Sequence, residues 1–317
     1  MRVASILAFV AISSLSHADL IQSEIKDVLF DDVYAALRVA YSVEANVYAP
    51  RTFVRCSKRF FSAKEAFERG GKLEGIRRDL QESTAHYRTA AELARVARTE
   101  FAYIVAARTD ALTAEAPKSL AHDWKELETY LKVATAHFQK GRPKTAKGMA
   151  KRAEPRYRAI ELEAIKAKNL GVARTLIEQA RAVDAPRIAP VSFRKAMTLV
   201  EQAESRLERD RYDTQAPAPI IAQAEYEARH ALYVAQLELR VARGEENLES
   251  VLLQWQASLR RIGDRLEVPL EFDNGEVQAV DAILRRIADL EQATAQRPND
   301  VDETATGSHE LRVASGR

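Results

Sequence analysis

Residues 53–70 read FVRCSKRFFSAKEAFERG, and five apolar residues recur in this segment at intervals of three, four, three and four. This spacing places them on one stripe of an α-helix, and Gly70 follows as a turn residue that ends the helix. We call these residues and their counterparts below the repeated stripe. Its first copy consists of Phe53, Cys56, Phe60, Ala63 and Phe67.

The same spacing occurs twice more along the chain. The second copy precedes Gly141, the third precedes Asp210, and the copies begin 71 and 69 residues apart. The sequence therefore contains an internal repeat of about seventy residues. Aromatic and aliphatic residues in this pattern are more typical of a packed core than of a ligand platform, so we predict that the stripe is structural core. The second copy consists of Trp124, Leu127, Leu131, Ala134 and Phe138, and the third of Phe193, Ala196, Val200, Ala203 and Leu207.

Ala-Pro pairs mark the points at which one helix stops and the next begins. Proline disfavours helix at the preceding residue but is tolerated in a first helical turn. Each repeat is thus predicted to be a short helix, a tight turn and a longer return helix. A single amphipathic hairpin leaves its apolar face in water, so consecutive hairpins must pack together. The pairs are Ala49-Pro50, Ala116-Pro117, Ala185-Pro186 and Ala189-Pro190.

Composition supports a helical fold. Only 11 Gly and 10 Pro occur in 317 residues, which fits long helices better than a turn-rich β fold. We predict an all-α protein: an elongated antiparallel helical bundle or superhelix of three hairpin repeats, with a short partial α/β tail. The net charge is +2 and both signs are mixed along the chain. Because no basic stripe is visible, we predict no nucleic-acid partner.

The N-terminus has the pattern of a secretory signal peptide. Arg2 is followed by a largely apolar run over residues 3–15, and then by Ser16-His17-Ala18 with small residues at both cleavage positions. Cleavage is expected before Asp19. The alternative is an uncleaved membrane anchor, which needs about 20 apolar residues.

These landmarks predict the organisation of the chain. An N-terminal helix follows the signal peptide, and three repeats come next, the third with an extended last helix. Beyond Leu266, residues 268–272 alternate like a short strand and residues 277–290 return to helical spacing. From Ala293 onward the sequence is polar and is predicted to be disordered. The segment boundaries are 1–18, 19–48, 49–115, 116–184, 185–266 and 267–317.

Cys56 is the single cysteine, so no intramolecular disulfide is possible. Either it is a reactive or intermolecularly bridged thiol, or it is a small core residue. Leu127 and Ala196 occupy its position in the other copies, which favours the core interpretation.

The Ala-Pro pairs, the repeated aromatic residues and an Ala-Glu pattern over about residues 31–245 resemble the helical region of Gram-negative envelope proteins that often precedes an OmpA-like domain. Residues 269–301, with Phe272-Asp273 and the helix over 283–290, look like the opening strand and first helix of an OmpA-like peptidoglycan-binding domain. The resemblance implies export to the periplasm or outer membrane and a tether to the cell wall in complete relatives.

The chain departs from that family where the ligand residues are expected. The family continues with a Gly-His-Thr-Asp motif and a later Arg, which hold the diaminopimelate of the peptidoglycan stem peptide. Here residues 302–311 read DETATGSHEL, and the motif is missing. We therefore assign no peptidoglycan site, and peptidoglycan is a partner only if the tail is functional.

Motifs for catalysis and cofactors are absent from the sequence. There is no nucleophile elbow, dinucleotide fingerprint, phosphate loop or paired cysteine. Glu227 and His230 have the Glu-x-x-His spacing of di-iron bundles, but such sites need a second copy. We accordingly predict no catalytic residue, no metal and no cofactor, and the hypothesis of an enzyme rests on these two residues alone.

Two non-enzymatic hypotheses remain. The first is a scaffold or adaptor of the cell envelope that binds envelope proteins through its helix faces. The alternative is a coiled-coil-like subunit of an envelope secretion or efflux assembly, which forms a homo-oligomer through the repeated stripe.

Overall fold

The computed structural model describes residues 17–295, with side chains from residue 25, and this part of the chain contains thirteen α-helices and no strand. The predicted all-α class is therefore confirmed. The predicted signal peptide lies outside the described residues except at His17 and Ala18, where α1 begins. The helices are α1 His17–Ser42, α2 Ala45–Tyr48, α3 Pro50–Glu68, α4 Leu73–Glu100, α5 Ala102–Thr113, α6 Ala116–Ser119, α7 Ala121–Gln139, α8 Pro143–Ala182, α9 Ala185–Ile188, α10 Pro190–Arg209, α11 Ala218–Ala242, α12 Leu248–Leu266 and α13 Glu276–Ala295.

An irregular turn with the same geometry begins each repeat. Glu44, Glu115 and Asp184 adopt left-handed backbone conformations with φ of 56°, 62° and 61°. Each is followed by one of the four-residue helices α2, α6 and α9, and then by a residue with φ between −134° and −124°. We call residues 43–49, 114–120 and 183–189 the junctions. The first junction divides the single helix predicted over 19–48 into α1 and α2.

Two return helices are shorter than predicted. The first is interrupted at the buried Phe101, where φ of −115° and ψ of 30° separate α4 from α5. The extended last helix of repeat 3 is also interrupted, because Gly244 takes φ of 70° and Asn247 starts a new helix. The Ser250 N–H donates to Asn247 Oδ1 over 2.8 Å, which caps α12. Only α8 runs unbroken for forty residues within the described range.

The strand predicted over residues 268–272 does not form. A strand needs a neighbour with which to pair its backbone groups, and the described residues supply none. Instead the Val268 N–H donates to the Gly263 carbonyl over 2.9 Å. A Cβ at Gly263 would lie 2.7 Å from the Leu270 side chain, so glycine allows the segment to fold back on α12.

The chain divides into two compact units. Unit 1 consists of Met1–Glu178 with Ser192–Ala228, and unit 2 of Gln179–Val191 with Arg229–Arg317. In unit 2, α12 packs against α13 as a helical hairpin. Within residues 17–295 we find no helix with the length and hydropathy of a membrane span.

The repeated stripe lies in unit 1. Twelve of its fifteen residues are buried, and Phe67, Trp124 and Phe138 are partly buried and pack against the core around the first two copies. Ala203 and Leu207 of the third copy belong to a separate cluster. Helix α1 covers the first copy, and the ring centroids of Phe30 and Phe67 are 5.6 Å apart at an edge-to-face angle. Contacts within the chain therefore bury the stripe.

Candidate interaction surface

A buried ion cluster joins the first junction to the second repeat. The Arg108 side chain is 8% exposed, and its Nε and Nη2 donate to the two carboxylate oxygens of Glu128 over 2.6 and 3.1 Å. Its Nη1 binds Glu44, which also binds Arg98. Burial lowers the pKa of Arg108, but the hydrogen bond and charge of Glu128 outweigh burial and raise it. The cluster holds elements together and leaves no cation for a ligand.

Tyrosines from the return helices complete an equivalent contact in two repeats. The Tyr157 hydroxyl donates to Glu128 Oε1 over 2.7 Å, and the Tyr87 hydroxyl to Ser57 Oγ over 3.1 Å. Ser57 and Glu128 are 71 residues apart, and the tyrosines are 70 apart. The recurring spacing of these residues is the sequence signal that could have paired them.

We compare the removal of two buried hydroxyls: that of Tyr157, which donates a hydrogen bond, and that of Tyr48, which does not. We expect Tyr157→Phe to lower the free energy of unfolding by about 1.5–3 kcal/mol, because its partner is a charged carboxylate. Tyr48 is equally buried, but its hydroxyl has no hydrogen-bond partner among the described residues. Tyr48→Phe removes a buried hydroxyl that has no partner, so it should not lower the free energy of unfolding and should raise it by up to about 1–3 kcal/mol. Urea denaturation at pH 7 checks both values, and equal losses would contradict the assignment.

Tyr48→Phe also has an expected effect on the stability of the fold at high pH. Burial raises the pKa of Tyr48 from 10.0 to about 12. An unfolded chain then loses this proton before the folded chain does, so the contribution to stability falls as pH rises from about 10 to about 12. Tyr48→Phe should remove that part of the alkaline loss.

A second polar cluster surrounds the fully buried Glu161. Its Oε2 lies 3.1 Å from Nη1 of both Arg158 and Arg211, and the Tyr212 hydroxyl donates to its Oε1 over 2.6 Å. A cavity of about 330 Å³ adjoins it, lined also by Asp110 and Lys168. Asp110 binds Arg158 at 2.5 Å and Lys168 binds Glu115 at 3.3 Å. Because these charges are already paired within the chain, the cavity offers a ligand little unsatisfied polarity.

The residues singled out for metal or thiol chemistry also have structural partners. Glu227 binds Lys195 Nζ at 2.6 Å, and that hydrogen bond lowers the pKa of its carboxyl. Among the described residues, no cluster of His, Cys, Asp and Glu has the arrangement of a metal site. Cys56 is buried, its thiol donates to the Thr52 carbonyl over 2.8 Å, and burial raises its pKa to about 11. Its environment is that of a small core residue.

Six cations on and around α7 have no acidic partner among the described residues. A groove of about 570 Å³ between α3 and α7 has Val54 and Val133 among its lining, and a groove of about 580 Å³ lies where α7 approaches Arg156 of α8. No cation of this surface forms an ion pair with any described acidic residue. Glu126, the one acidic residue lining either groove, binds His122 at 3.8 Å. We name the set the α7 basic surface, and it consists of Arg51, Arg55, Lys125, Lys132, Lys140 and Arg156.

Sequence reasoning missed this surface because its members come from three helices. Along the chain the charges alternate in sign, and the fold brings one sign together. The spacing of Lys125, Lys132 and Lys140, seven and eight residues apart, was the one local signal, since it places all three on one helix face.

No protein-family model matches the chain, and no curated protein or solved structure is similar to it at a significant level.

Proposed function

We propose that this chain is a non-enzymatic scaffold or adaptor of the Gram-negative cell envelope that docks acidic partner proteins on the α7 basic surface. The observation that carries the proposal is the contrast in charge pairing. The charges of the Arg108 and Glu161 clusters are paired within the chain, whereas six cations that converge on two open grooves have no acidic partner among the described residues. Such a surface attracts an anionic partner and orients it.

The scaffold part of the proposal draws on the repeat. The three junctions share one backbone geometry, which supports three hairpin units of about seventy residues. The elongated bundle or superhelix remains a prediction of this proposal. Export, the periplasmic or outer-membrane location and a cell-wall tether rest on the signal-peptide pattern and on the OmpA-like resemblance.

Site-specific photo-crosslinking in a Gram-negative host tests the proposal. The full chain is produced with a photoreactive residue in place of Val133, and the cell is fractionated after illumination. We expect adducts with acidic envelope proteins, and we expect Arg55→Gln/Lys132→Gln/Lys140→Gln to reduce them at least tenfold, because close charge pairs dominate such docking. Protein retained in the cytoplasm would contradict the envelope assignment.

A matched variant controls for total charge. Lys64→Gln/Lys72→Gln/Arg77→Gln also removes three cations, and these positions line neither groove. Adduct formation should survive this change. Equal loss in both variants would show that net charge, and not the α7 basic surface, determines binding.

The alternative function, a self-associating assembly subunit, stands as a second proposal. Its predicted contact was the repeated stripe, which is buried within unit 1. Self-association therefore requires a different surface.

A further inference from the structure

One face of α7 runs through both grooves of the α7 basic surface. Thr129 and Val133 line each of the two grooves, so the grooves share this face of the helix. The α7 residues that line them extend from His122 to Lys140, which corresponds to about 27 Å of helix. A face of this length can hold a partner segment of about five helical turns.

Three lysines follow one another along this face at nearly regular intervals. Lys125, Lys132 and Lys140 are seven and eight residues apart, or about 10.5 and 12 Å along the helix axis. At about 100° per residue, these intervals keep all three within about 80° of arc. Thr129 and Ala136 lie between them and add no charge. A complementary partner therefore offers carboxylates at the same separations, with uncharged side chains between them.

An α-helix reproduces these separations, and a β-strand does not. In a helix, carboxylates seven and eight residues apart lie on one face at about 10.5 and 12 Å. In a strand, residues on one face recur about every 6.8 Å, so a residue about 10 Å further along lies on the opposite face. The spacing of the lysines thus matches an acidic helix and not an extended acidic segment.

Exposed valines give the groove between α3 and α7 an apolar floor. Val54 is 51% exposed and Val133 is 45% exposed. The same groove is lined by Arg51, Arg55 and Lys132. Apolar side chains surrounded by cations fit an amphipathic helix whose apolar stripe is bordered by carboxylates.

Contacts within the chain form both grooves without a partner. The Gln139 side-chain carbonyl accepts from the Arg51 N–H over 2.9 Å, and its amide donates to Thr52 Oγ1 over 2.9 Å. These two bonds join the first turn of α3 to the last turn of α7. In the other groove, Arg156 Cζ lies 5.8 Å from the centroid of the Tyr130 ring. Because the grooves are already formed, docking orders few side chains and its entropic cost is small.

We propose that the partner segment of the α7 basic surface is an amphipathic α-helix that lies along α7 and carries carboxylates seven and eight residues apart. This inference rests on the proposed function, because it concerns the partner of the same surface. It adds the conformation of that partner and the spacing of its charges.

Three synthetic peptides of about 22 residues measure the preference. The first, the aligned peptide, is an alanine- and glutamine-rich helix with leucines beside an acidic face on which three glutamates are seven and eight residues apart. The second has the same composition with the glutamates five residues apart, which turns successive carboxylates by about 140° around the helix. The third is the aligned peptide with prolines in place of two central alanines, which prevents a continuous helix. Circular dichroism verifies their helicity, and fluorescence anisotropy with the full chain gives each dissociation constant.

We expect the aligned peptide to bind at least tenfold more tightly than either of the others, since only it places all three carboxylates opposite the lysines. Lys125→Gln/Lys132→Gln/Lys140→Gln should abolish this difference. The charge-matched control variant of the photo-crosslinking experiment should preserve it. Equal binding of the three peptides, or binding of none, would overturn the inference.

A charge exchange tests the alignment of the two helices. Lys132→Glu should weaken binding of the aligned peptide at least tenfold, because it places two carboxylates opposite each other. A peptide with lysine at its central acidic position should restore binding to this variant. Failure of the exchange to restore binding would contradict the alignment.

Photo-crosslinking in cells separates this inference from the proposed function. Cation-dependent adducts at position 133, combined with equal binding of all three peptides, would retain the docking of acidic proteins and refute only the helical form of the partner. Absence of adducts would instead refute the proposed function, even if the aligned peptide binds.

Discussion

Arg108→Met is expected to lower the free energy of unfolding by about 3–5 kcal/mol, the range for removing one partner from a buried ion pair. Methionine retains much of the apolar volume of the arginine stem but leaves Glu128 and Glu44 without their shared cation. Glu128 is itself nearly buried, so water replaces little of the lost interaction. Urea denaturation of the full chain, followed by circular dichroism, gives the value.

Arg95→Met is the matched control. Arg95 binds Glu92 on the surface of α4, and its side chain is 48% exposed. Exposed pairs contribute about 0–1 kcal/mol, so this variant should remain near the wild type. If Arg108→Met also stays below about 1 kcal/mol, the buried ion cluster does not stabilise the fold as we describe.

Leu131→Ala has the second large expected effect, a loss of about 2–5 kcal/mol. Leu131 is fully buried in the core of unit 1, at the centre of the second copy of the repeated stripe. Alanine removes buried methyl groups and leaves a cavity that the surrounding helices fill only in part.

Leu93→Ala on α4 makes the same chemical change at a residue that is 37% exposed, and it should cost clearly less. Chemical denaturation of the two variants in parallel gives the difference. A loss at Leu131 below about 0.5 kcal/mol, the level of a surface substitution, would contradict the core assignment.

The helical class and the stripe could be predicted because helix burial follows local spacing. Once five apolar residues fall on one face, as at Phe53 to Phe67, the chain must bury that face. The predicted strand over 268–272 failed for the opposite reason. Alternation of apolar and polar residues is a property of a single segment. A strand forms only when a neighbouring strand pairs with it, and the local pattern does not show whether the fold contains that neighbour.

The junctions and charged groups could not be predicted from local pattern. A left-handed residue is usually signalled by Gly or Asn, but here the positions hold Glu44, Glu115 and Asp184. Arg108 meets Glu44 across 64 residues, and the α7 basic surface draws on three helices. Pairings between residues so far apart in the sequence depend on how the helices pack, and helix propensity carries no information on that packing.

The shared geometry of the junctions bears on how such a chain can change its length. Each junction leads into a repeat through a left-handed acidic residue and a four-residue helix. A recombination event between two junctions would duplicate or delete one whole repeat and would rejoin the ends through a turn that already exists. Growth in steps of about seventy residues is therefore the evolutionary route that this architecture makes easiest.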